Sequence, residues 1–444
     1  MKKQEDKIMK EITKENLNNI ESQYLNNTAH TITRRALVKS KISDLIRVNE
    51  QTEFSRDMFS INLKTLPVTD QKQSGRCWIF AGCNVIREKI AKKYNLKDFE
   101  LSQNYIAFYD KLEKCNYLLE NIISLKDKEK DDRTLDGLLS NGIQDGGQWD
   151  LFVNIVNKYG IVPKSAFPET FQSSNTREID GLLNKYIRKF AFEIRHNNEN
   201  IDGKKAECIE NIYKILCSSF GVPPKKFSFE YVDKDDNYNI IKDLDPIRFY
   251  KEIADINLDD YISIINSPTD DKPFNKVYTV EHIGNVIEGK EILYLNLDIN
   301  RLKELTINQL KDGEPVWFGS DCLKARDIDD GTWDDKSFDI DTLFQINSKM
   351  SKEAMLDTRE SAMNHAMVIT GVNLENDTPT KWKIENSWGD KKANKGYHVA
   401  TDTWFNSYVY QVVINKKYLT QEEKNILTTE KIRLKPWDPM GTLA

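Results

Sequence analysis

The segment from Leu66 to Ile90 constrains this chain more than any other part of the sequence. It reads LPVTDQKQSGRCWIFAGCNVIREKI, so a short apolar stretch and a polar turn precede one cysteine, Cys77, and an amphipathic run. Apolar residues at positions 79, 83, 86 and 90 recur at helical spacing, which predicts a helix that starts at about Cys77 and ends near Tyr94. The segment therefore places a thiol at the N-terminus of a helix.

This placement favours nucleophilic chemistry. The dipole and the unpaired N–H groups of a helix N-terminus favour a thiolate, so we predict that the pKa of Cys77 is lowered. A nucleophile also needs a base, and His365 begins the apolar stretch HAMVITGV. Asn386, in KWKIENSWGD, could hold one tautomer of that imidazole. The side-chain amide of Gln71, with the backbone N–H of Cys77, could donate hydrogen bonds to an oxyanion.

Structural interpretations compete with these chemical ones. His398 follows NKGY and is an alternative base, but no Asn-Ser-Trp follows it, and we rank it below His365. Asn386 alone could simply form a turn. A cysteine in an apolar helix is usually a small buried hydrophobe. We apply that interpretation to the other five cysteines, at positions 83, 115, 208, 217 and 322.

Composition excludes several classes of function. The net charge of −6 and the pI of about 5.7 argue against a nucleic-acid or anionic-membrane surface. No stretch approaches the roughly 18 apolar residues of a membrane span. The six cysteines include no CxxC pair and the N-terminal residues lack a secretory apolar region, so we expect a reducing, cytoplasmic location. The five histidines are scattered, so we predict neither a metal site nor a cofactor.

The pattern of the chain changes along its length. Helical periodicity dominates the front half, and β-branched and aromatic stretches between turns dominate the back half, which predicts an α+β protein. We expect an N-terminal helical arm (1–65), a helical lobe with the cysteine (66–169), a mainly helical insertion (170–270), a strand-rich lobe (271–435) and a C-terminal arm (436–444).

Several motifs, in this order, resemble one known family. They are VTDQKQSGRCWIFAGCNVIR, LSQNY, DGGQWD, KYGIVPKSAFPE, DGEPVWFG, NHAMVITGV, WKIENSWG and the tail PWDPMGTLA. Together they resemble the bleomycin hydrolase/aminopeptidase C family of papain-like cysteine peptidases. The resemblance implies a two-lobed papain-like fold, with a helical lobe and a β-barrel-like lobe, enlarged by helical insertions.

The resemblance also implies roles for individual residues. Cys77 would be the nucleophile, His365 its base and acid, Asn386 the residue that orients His365, and Gln71 part of the oxyanion hole. Trp388 would shield the Asn–His hydrogen bond from water.

Two glycines would serve substrate binding, as the family resemblance implies. Gly146 and Gly147 would lie where an extended substrate approaches the backbone, although the pair could equally be only a turn before a helix. Many secreted papain-type enzymes have Gly-Ser-Cys-Trp at the cysteine, whereas this chain reads Gly-Arg-Cys-Trp. The arginine is what the resemblance to the cytosolic bleomycin hydrolase/aminopeptidase C branch implies.

The spacing of the motifs locates the insertions. In this chain 288 residues separate Cys77 from His365, against about 130–150 in a plain papain-like domain. We therefore expect insertions near 116–140 and at 170–270, and we interpret the charged run at 124–137 as a solvated excursion.

The tail and the assembly follow from the resemblance. In that family the C-terminal arm lies in the active-site cleft, where the carboxylate of Ala444 would meet the α-ammonium of a peptide. The resemblance therefore implies a cysteine aminopeptidase for short peptides and small amides, assembled as a homohexamer. Two alternatives remain: an endopeptidase of the same chemistry, if the tail does not dock, and a non-catalytic oligomeric binding protein.

Overall fold

The computed structural model describes residues 11–48 and 58–443. It divides into two compact units: Met1–Phe54 with Lys336–Lys349, and Ser55–Asp335 with Met350–Ala444. Within the described ranges, no helix combines the length and the apolar character that crossing a membrane requires.

The helices are α1 Lys14–Asn26, α2 Thr28–Leu37, α3 Ile42–Leu45, α4 Cys77–Lys93, α5 Gln103–Ser124, α6 Arg133–Asn141, α7 Trp149–Tyr159, α8 Phe171–Ser174, α9 Arg177–His196, α10 Ile201–Phe220, α11 Pro246–Arg248, α12 Ile299–Lys311, α13 Ile340–Phe344, α14 Lys352–Asp357, α15 Asp402–Tyr408 and α16 Gln421–Ile426. The strands are β1 Ile61–Asn62, β2 Phe227–Val232, β3 Tyr238–Leu244, β4 Tyr261–Ile265, β5 Lys276–Val280, β6 Tyr294–Asn296, β7 Val316–Ser320, β8 Arg326–Asp327, β9 Thr332–Trp333, β10 His365–Glu375, β11 Thr378–Glu385, β12 Tyr397–Thr401, β13 Val409–Asn415 and β14 Ile432–Leu434.

The first unit consists of α1, α2, α3 and the segment with α13. Thr13 caps α1 and Asn27 caps α2, each through a side-chain oxygen that accepts a backbone N–H. The helices α1–α3 contain no buried residue. These helices and the residues beside them expose large apolar side chains instead: Ile12, Leu17, Ile20, Leu25, Ile32, Val38 and Ile42. This unit therefore presents much more apolar surface than a helical arm in water needs.

The second unit is built on one large sheet. Its strands follow the order β14-β5-β6-β4-β13-β7-β10-β11-β12-β9-β8, and β1 adds to β10. Strand β10 lies near the middle, antiparallel to β7 on one side and to β11 on the other. His365 is the first residue of β10 and Asn386 directly follows β11. Because adjacent antiparallel strands put the start of one beside the end of the other, these two residues meet at the same end of β10 and β11.

Helices cover the sheet and form two apolar cores. One core joins α4, α5, α7, α9 and α10 to the sheet, and the other packs α12 and α15 against it. Helix α4 belongs to the first core, and most of its residues are buried. Asp298 caps α12, because its side chain accepts the N–H of Asn300. Strands β2 and β3 form a separate antiparallel hairpin.

Two regions differ from the expected boundaries. Most of the segment 116–140, expected as an inserted excursion, is helical, because α5 continues to Ser124 and α6 begins at Arg133. Residues 125–132 of the charged run lie between these two helices, and none of them is buried. The apolar face of α5 includes Leu118, Leu119 and Ile122, which are buried, so the charged run that follows does not mark the end of packed structure. The insertion at 170–270 ends in β4, which belongs to the central sheet.

The C-terminal segment belongs to the second unit and packs against other parts of it as far as Leu443. Asp438 pairs with Lys272 at 3.0 Å. The backbone carbonyl of Met440 accepts a hydrogen bond from the hydroxyl of Tyr294 at 3.1 Å. Met440 and Leu443 are both buried. These contacts fix the path of the tail, whereas Ala444 lies outside the described residues.

Candidate active site

Helix α4 and strand β10 bring the predicted nucleophile and base to one place. Cys77 is the first residue of α4 and its side chain is buried. Its Sγ accepts a hydrogen bond from the backbone N–H of Ala366, at 3.4 Å. Ala366 is the residue after His365, so the thiol lies against the start of β10, where the imidazole is attached.

Asn386 fixes the protonation of the His365 ring. Nε2 of His365 lies 2.9 Å from Oδ1 of Asn386. The same Oδ1 accepts the backbone N–H of Ser387 at 2.8 Å, and since a backbone N–H can only donate, the atom it meets must be the amide oxygen. Nε2 of His365 therefore carries the hydrogen in the neutral ring, and Nδ1 keeps its lone pair. That is the tautomer a general base requires.

Trp388 covers the Asn–His pair. Its ring stacks on the His365 imidazole with centroids 4.7 Å apart and an interplanar angle of 26°. The guanidinium of Arg326 lies over Trp388 at 5.5 Å from the ring centroid. The stack shields one face of the imidazole, and we observe Trp388 as a packing partner of His365.

Gln71 is tied to the same segment. Its backbone N–H donates to the carbonyl of Ser387 at 2.9 Å, and its Oε1 accepts from the hydroxyl of Ser387 at 2.6 Å. Its Nε2 donates to the carbonyl of Ser74, also at 2.6 Å. An amide nitrogen carries two hydrogens, so this geometry leaves one for an oxyanion.

An ion pair between a buried arginine and a half-buried glutamate supports the turn between Gln71 and Cys77. Arg76 is 1% exposed and forms a bidentate pair with Glu169, at 3.2 and 2.9 Å. Its Nε also donates to the hydroxyl of Ser74 at 3.0 Å. Arg76 therefore holds the residue whose carbonyl anchors the Gln71 amide. The sequence shows an arginine before Cys77, but nothing local identifies the distant Glu169 as its partner.

Asp145 supports the same turn from the other side. Its Oδ2 accepts the backbone N–H of Gly75 at 2.7 Å, and its backbone carbonyl accepts the indole N–H of Trp78, also at 2.7 Å. Lys111 donates to Asp145 at 2.6 Å. Burial alone would raise the pKa of Asp145, but the adjacent Lys111 outweighs it and holds this pKa below its usual range. The carboxylate is thus ionised and can keep the turn in place.

The two glycines before α7 have different surroundings. A Cβ added to Gly147 would lie 2.5 Å from the ring of Trp78, so Gly147 is where an indole packs directly on the backbone. The carbonyl of Gly146 accepts a hydrogen bond from the Lys114 ammonium. Gly146 also lines a cavity of about 380 Å³ that reaches the C-terminal segment at Thr442. Of the two, only Gly146 borders open space there.

Burial sets the protonation of the Cys77–His365 pair. It raises the pKa of Cys77 to about 11, although hydrogen bonds from the backbone N–H groups of Ala366 and Trp78 oppose the shift. This direction is opposite to the one that the helix position predicts, because the thiol is removed from water by the fold, which helix periodicity does not reveal. Burial likewise lowers the pKa of His365 to about 4. Both shifts favour the uncharged forms, the thiol and the neutral imidazole.

The site offers nothing that would hold a metal ion. Across residues 11–48 and 58–443, no group of three His, Cys, Asp or Glu side chains has the arrangement of a metal site.

Sequence reasoning missed one neighbour of Asn386. His398, which we consider only as a rival base, is buried, and its Nε2 lies 3.3 Å from Nδ2 of Asn386. The signal that could have found it is register, because His398 pairs with Ile384 across β11 and β12, two residues before Asn386.

Known proteins resemble this chain over almost its full length. The model of the Peptidase C1-like family matches residues 11–441. The aminopeptidase C of Lactobacillus delbrueckii subsp. lactis is 45% identical, over 98% of this chain and 99% of that protein. Human bleomycin hydrolase is 40% identical, over 85% of this chain and 86% of that protein. The crystal structure of PepW from Lactobacillus rhamnosis superposes with a TM-score of 0.96 at 46% identity, and covers 98% of this chain and 99% of that one.

These similarities confirm the predicted α+β, papain-like fold and the predicted resemblance to bleomycin hydrolase and aminopeptidase C. The predicted enzyme class, a cysteine-type aminopeptidase, agrees with them. The chain belongs to the Peptidase C1-like family.

Proposed function

We propose that this protein is a cysteine aminopeptidase that removes N-terminal residues from short peptides and hydrolyses small amides of the kind bleomycin hydrolase acts on. One observation carries the proposal: the thiol of Cys77 lies against the backbone of Ala366, next to an imidazole, His365, that Asn386 holds in the tautomer of a base. The arrangement suits a nucleophile and its proton acceptor.

The catalytic cycle follows from the positions of the protons. Nδ1 of His365 takes the thiol proton as the sulfur of Cys77 attacks the carbonyl carbon of the first peptide bond. The oxyanion accepts hydrogen bonds from the free hydrogen of the Gln71 amide and the backbone N–H of Cys77. The imidazolium then protonates the departing amine, and the first residue stays on sulfur as a thioester. His365 next takes a proton from water as the water oxygen attacks the thioester carbonyl. The carbon–sulfur bond then breaks, the residue is released, and the sulfur of Cys77 takes the proton back from the imidazolium.

Burial also bears on this cycle. It raises the pKa of Cys77 and lowers that of His365, so it favours the uncharged thiol and imidazole over the separated charges of thiolate and imidazolium. Their transient partners are the Oδ1 of Asn386, which faces the imidazolium, and the N–H of Ala366, which faces sulfur. This arrangement stabilises charge where it develops during the reaction.

The tail supports cleavage at the first residue. A methyl group placed on Gly319 would lie 3.6 Å from Cδ2 of Leu443, and Gly319 pairs with Ala366 in the sheet. The hydroxyl of Thr442 donates to the carbonyl of Met363 at 2.8 Å, two residues before His365. The tail thus runs beside the catalytic strand. In the proposed complex the carboxylate of Ala444 binds the α-ammonium of the substrate and blocks longer extensions.

Assembly and location are part of the same proposal. We propose a homohexamer, since the helices of the first unit expose apolar side chains such as Ile20 and Ile32 that a second copy could cover. We propose the cytoplasm as the location, because all six cysteines are free thiols. Membrane and nucleic-acid partners remain outside the proposal. Light scattering of the purified protein tests the hexamer.

A pair of peptides tests the activity. Wild type should release the first residue of a free tripeptide and leave the N-acetylated tripeptide intact, and Cys77→Ala should cleave neither. A variant that lacks residues 442–444 should gain cleavage of the acetylated peptide. Cleavage of the acetylated peptide by wild type would favour the endopeptidase alternative. Binding without cleavage of either peptide would favour the non-catalytic alternative.

A further inference from the structure

His398 is a buried titratable group that the catalytic cycle above does not use. It lies in β12, is 1% exposed, and its ring faces the side chain of Asn386. Nε2 of His398 is 3.3 Å from Nδ2 of Asn386. The amide of Asn386 therefore stands between two imidazoles, with His365 at its oxygen and His398 at its nitrogen.

The hydrogen bonds around Asn386 allow one assignment of protons. The backbone N–H of Ser387 fixes Oδ1 as the atom that faces His365. Nδ2, which only donates, must then face His398, so Nε2 of His398 must offer a lone pair. The proton of the neutral His398 ring is consequently on Nδ1, a buried atom for which the described residues supply no hydrogen-bond partner.

Aromatic rings hold the His398 imidazole in this orientation. Trp333 stacks on it with centroids 4.8 Å apart and an angle of 18°. Trp388 meets it edge-on at 6.0 Å and 88°. Since Trp388 also stacks on His365, one indole packs against both imidazoles. The ring of His398 therefore has little freedom to turn away from Asn386.

The surroundings of His398 favour the neutral ring. The titratable and charged groups that face it are His365 on β10, Arg326 on β8 and Asp330 in the turn after β8. Burial lowers the pKa of His398 to about 4, the charges of His365 and Arg326 add to that shift, and Asp330 opposes it.

We propose that His398 is a positioning residue: as a neutral imidazole it accepts a hydrogen bond from Nδ2 of Asn386 and so keeps Oδ1 of that amide directed at His365. The inference rests on the proposed peptidase function. A protonated His398 would direct an N–H at the amide hydrogens of Asn386 and favour a rotated amide. Rotation would place Nδ2 against the N–H of His365, which would remove the acceptor that selects its tautomer.

Two substitutions separate positioning from packing. In His398→Gln the side-chain oxygen can replace Nε2 as an acceptor without titrating, whereas His398→Leu keeps bulk and removes the acceptor. We expect His398→Leu to lower kcat by up to about 100-fold, the scale of a misplaced catalytic group, with KM within about twofold of wild type. His398→Gln should restore kcat to within about threefold.

The pH profile adds a readout that packing alone would not change. The acid limb of kcat against pH should reflect two protonations in wild type, at His365 and His398, and one in His398→Gln. Both variants are first compared with wild type by urea unfolding, so that only folded protein is assayed. Equal kcat for wild type and His398→Leu, no rescue by His398→Gln, or identical acid limbs in wild type and His398→Gln would each overturn the inference.

A neutron crystal structure of the Cys77→Ala protein tests the inference without turnover. We expect a deuteron on Nδ1 of His398 and none on its Nε2. We also expect the deuterated amide nitrogen, Nδ2, of Asn386 to donate to Nε2 of His398. A deuteron on Nε2 of His398 would overturn the inference. If wild type cleaves no peptide, the proposed function fails, and this structure still decides what His398 does.

Discussion

The backbone N–H of Ala366 donates to Sγ of Cys77 at 3.4 Å, and this contact joins helix α4 to strand β10. The strand thereby aligns the base with the nucleophile, because His365 precedes Ala366 directly. Both groups are buried, and the substrate must supply the carbonyl at which charge develops.

The first prediction concerns Gln71 and the oxyanion. Gln71→Ala removes a donor aimed at the developing charge, so kcat should fall by roughly 100- to 1,000-fold with little change in KM. Ser387→Ala is the matched control, because it removes the hydroxyl that anchors the amide but leaves the amide itself. Steady-state kinetics on an aminoacyl amide measure both. A kcat of Gln71→Ala within threefold of wild type would contradict the role. So would a kcat that cannot be distinguished from that of Ser387→Ala.

The second prediction concerns the Arg76–Glu169 pair. Arg76→Met leaves the half-buried carboxylate of Glu169 without its bidentate partner and should lower the free energy of unfolding by roughly 1–3 kcal/mol. It should also lower kcat, since Ser74 loses the donor that holds it beside Gln71. Urea unfolding and kinetics measure the two effects.

Lys72→Ala is the control for that substitution. It removes an ion pair with Asp70 in which the lysine is 60% exposed, and such pairs contribute little to stability. Equal free energies of unfolding for Arg76→Met and Lys72→Ala would show that the Arg76–Glu169 pair does not support the fold.

The third prediction concerns the dependence of stability on pH. Burial lowers the pKa of His365 and of His398 to about 4, against an ordinary value of about 6.5. Between these values the unfolded chain binds more protons, so this part of the stability is fully present above about pH 6.5 and is lost as pH falls through about 4. Half-buried Glu88 and buried Asp150, whose pKa values desolvation raises to about 7 and about 6, act in the opposite direction.

The difference between two proteins isolates the histidine contribution. Urea unfolding of wild type and His398→Gln from pH 4 to pH 7 should show a shallower loss in the variant on the acid side. Parallel curves for the two proteins would mean that His398 is not neutral in the folded state.

The fourth prediction compares two glycines. Gly147→Ala would place a methyl group 2.5 Å from the Trp78 ring, so it should destabilise the protein by about 1–3 kcal/mol and lower kcat. Gly137→Ala, in the open face of α6 with no atom near the added methyl, should stabilise by about 0.5–1 kcal/mol. Thermal unfolding compares them, and a Gly147→Ala protein as stable as Gly137→Ala would show that the indole packing is not tight.

Local sequence patterns predict the parts of the site that lie on single elements. The periodicity after Cys77 identifies α4, and the apolar stretch after His365 identifies β10, because both follow from which face of an element is buried. The Asn-Ser-Trp stretch identifies Asn386 and Trp388, because it directly follows the last residue of β11.

What depends on contacts between distant elements is not predictable in this way. The Cys77 pKa rises because strands and helices far away in sequence exclude water from the thiol. Gly147 is required by Trp78 rather than by open space, and His398 reaches Asn386 through strand register. Each of these facts belongs to tertiary packing, which periodicity and motif spacing do not encode.

Trapping the covalent intermediate tests the central claim most directly. Wild type is mixed with an aminoacyl ester, quenched in acid during turnover, digested, and the peptides are weighed by mass spectrometry, with Cys83→Ala as the matched control because Cys83 is buried in the same helix. We predict an aminoacyl group on the peptide that contains Cys77 in wild type and in Cys83→Ala, and none in Cys77→Ala, which should not turn over. Turnover by Cys77→Ala, or turnover by wild type with Cys77 unmodified, would contradict the account.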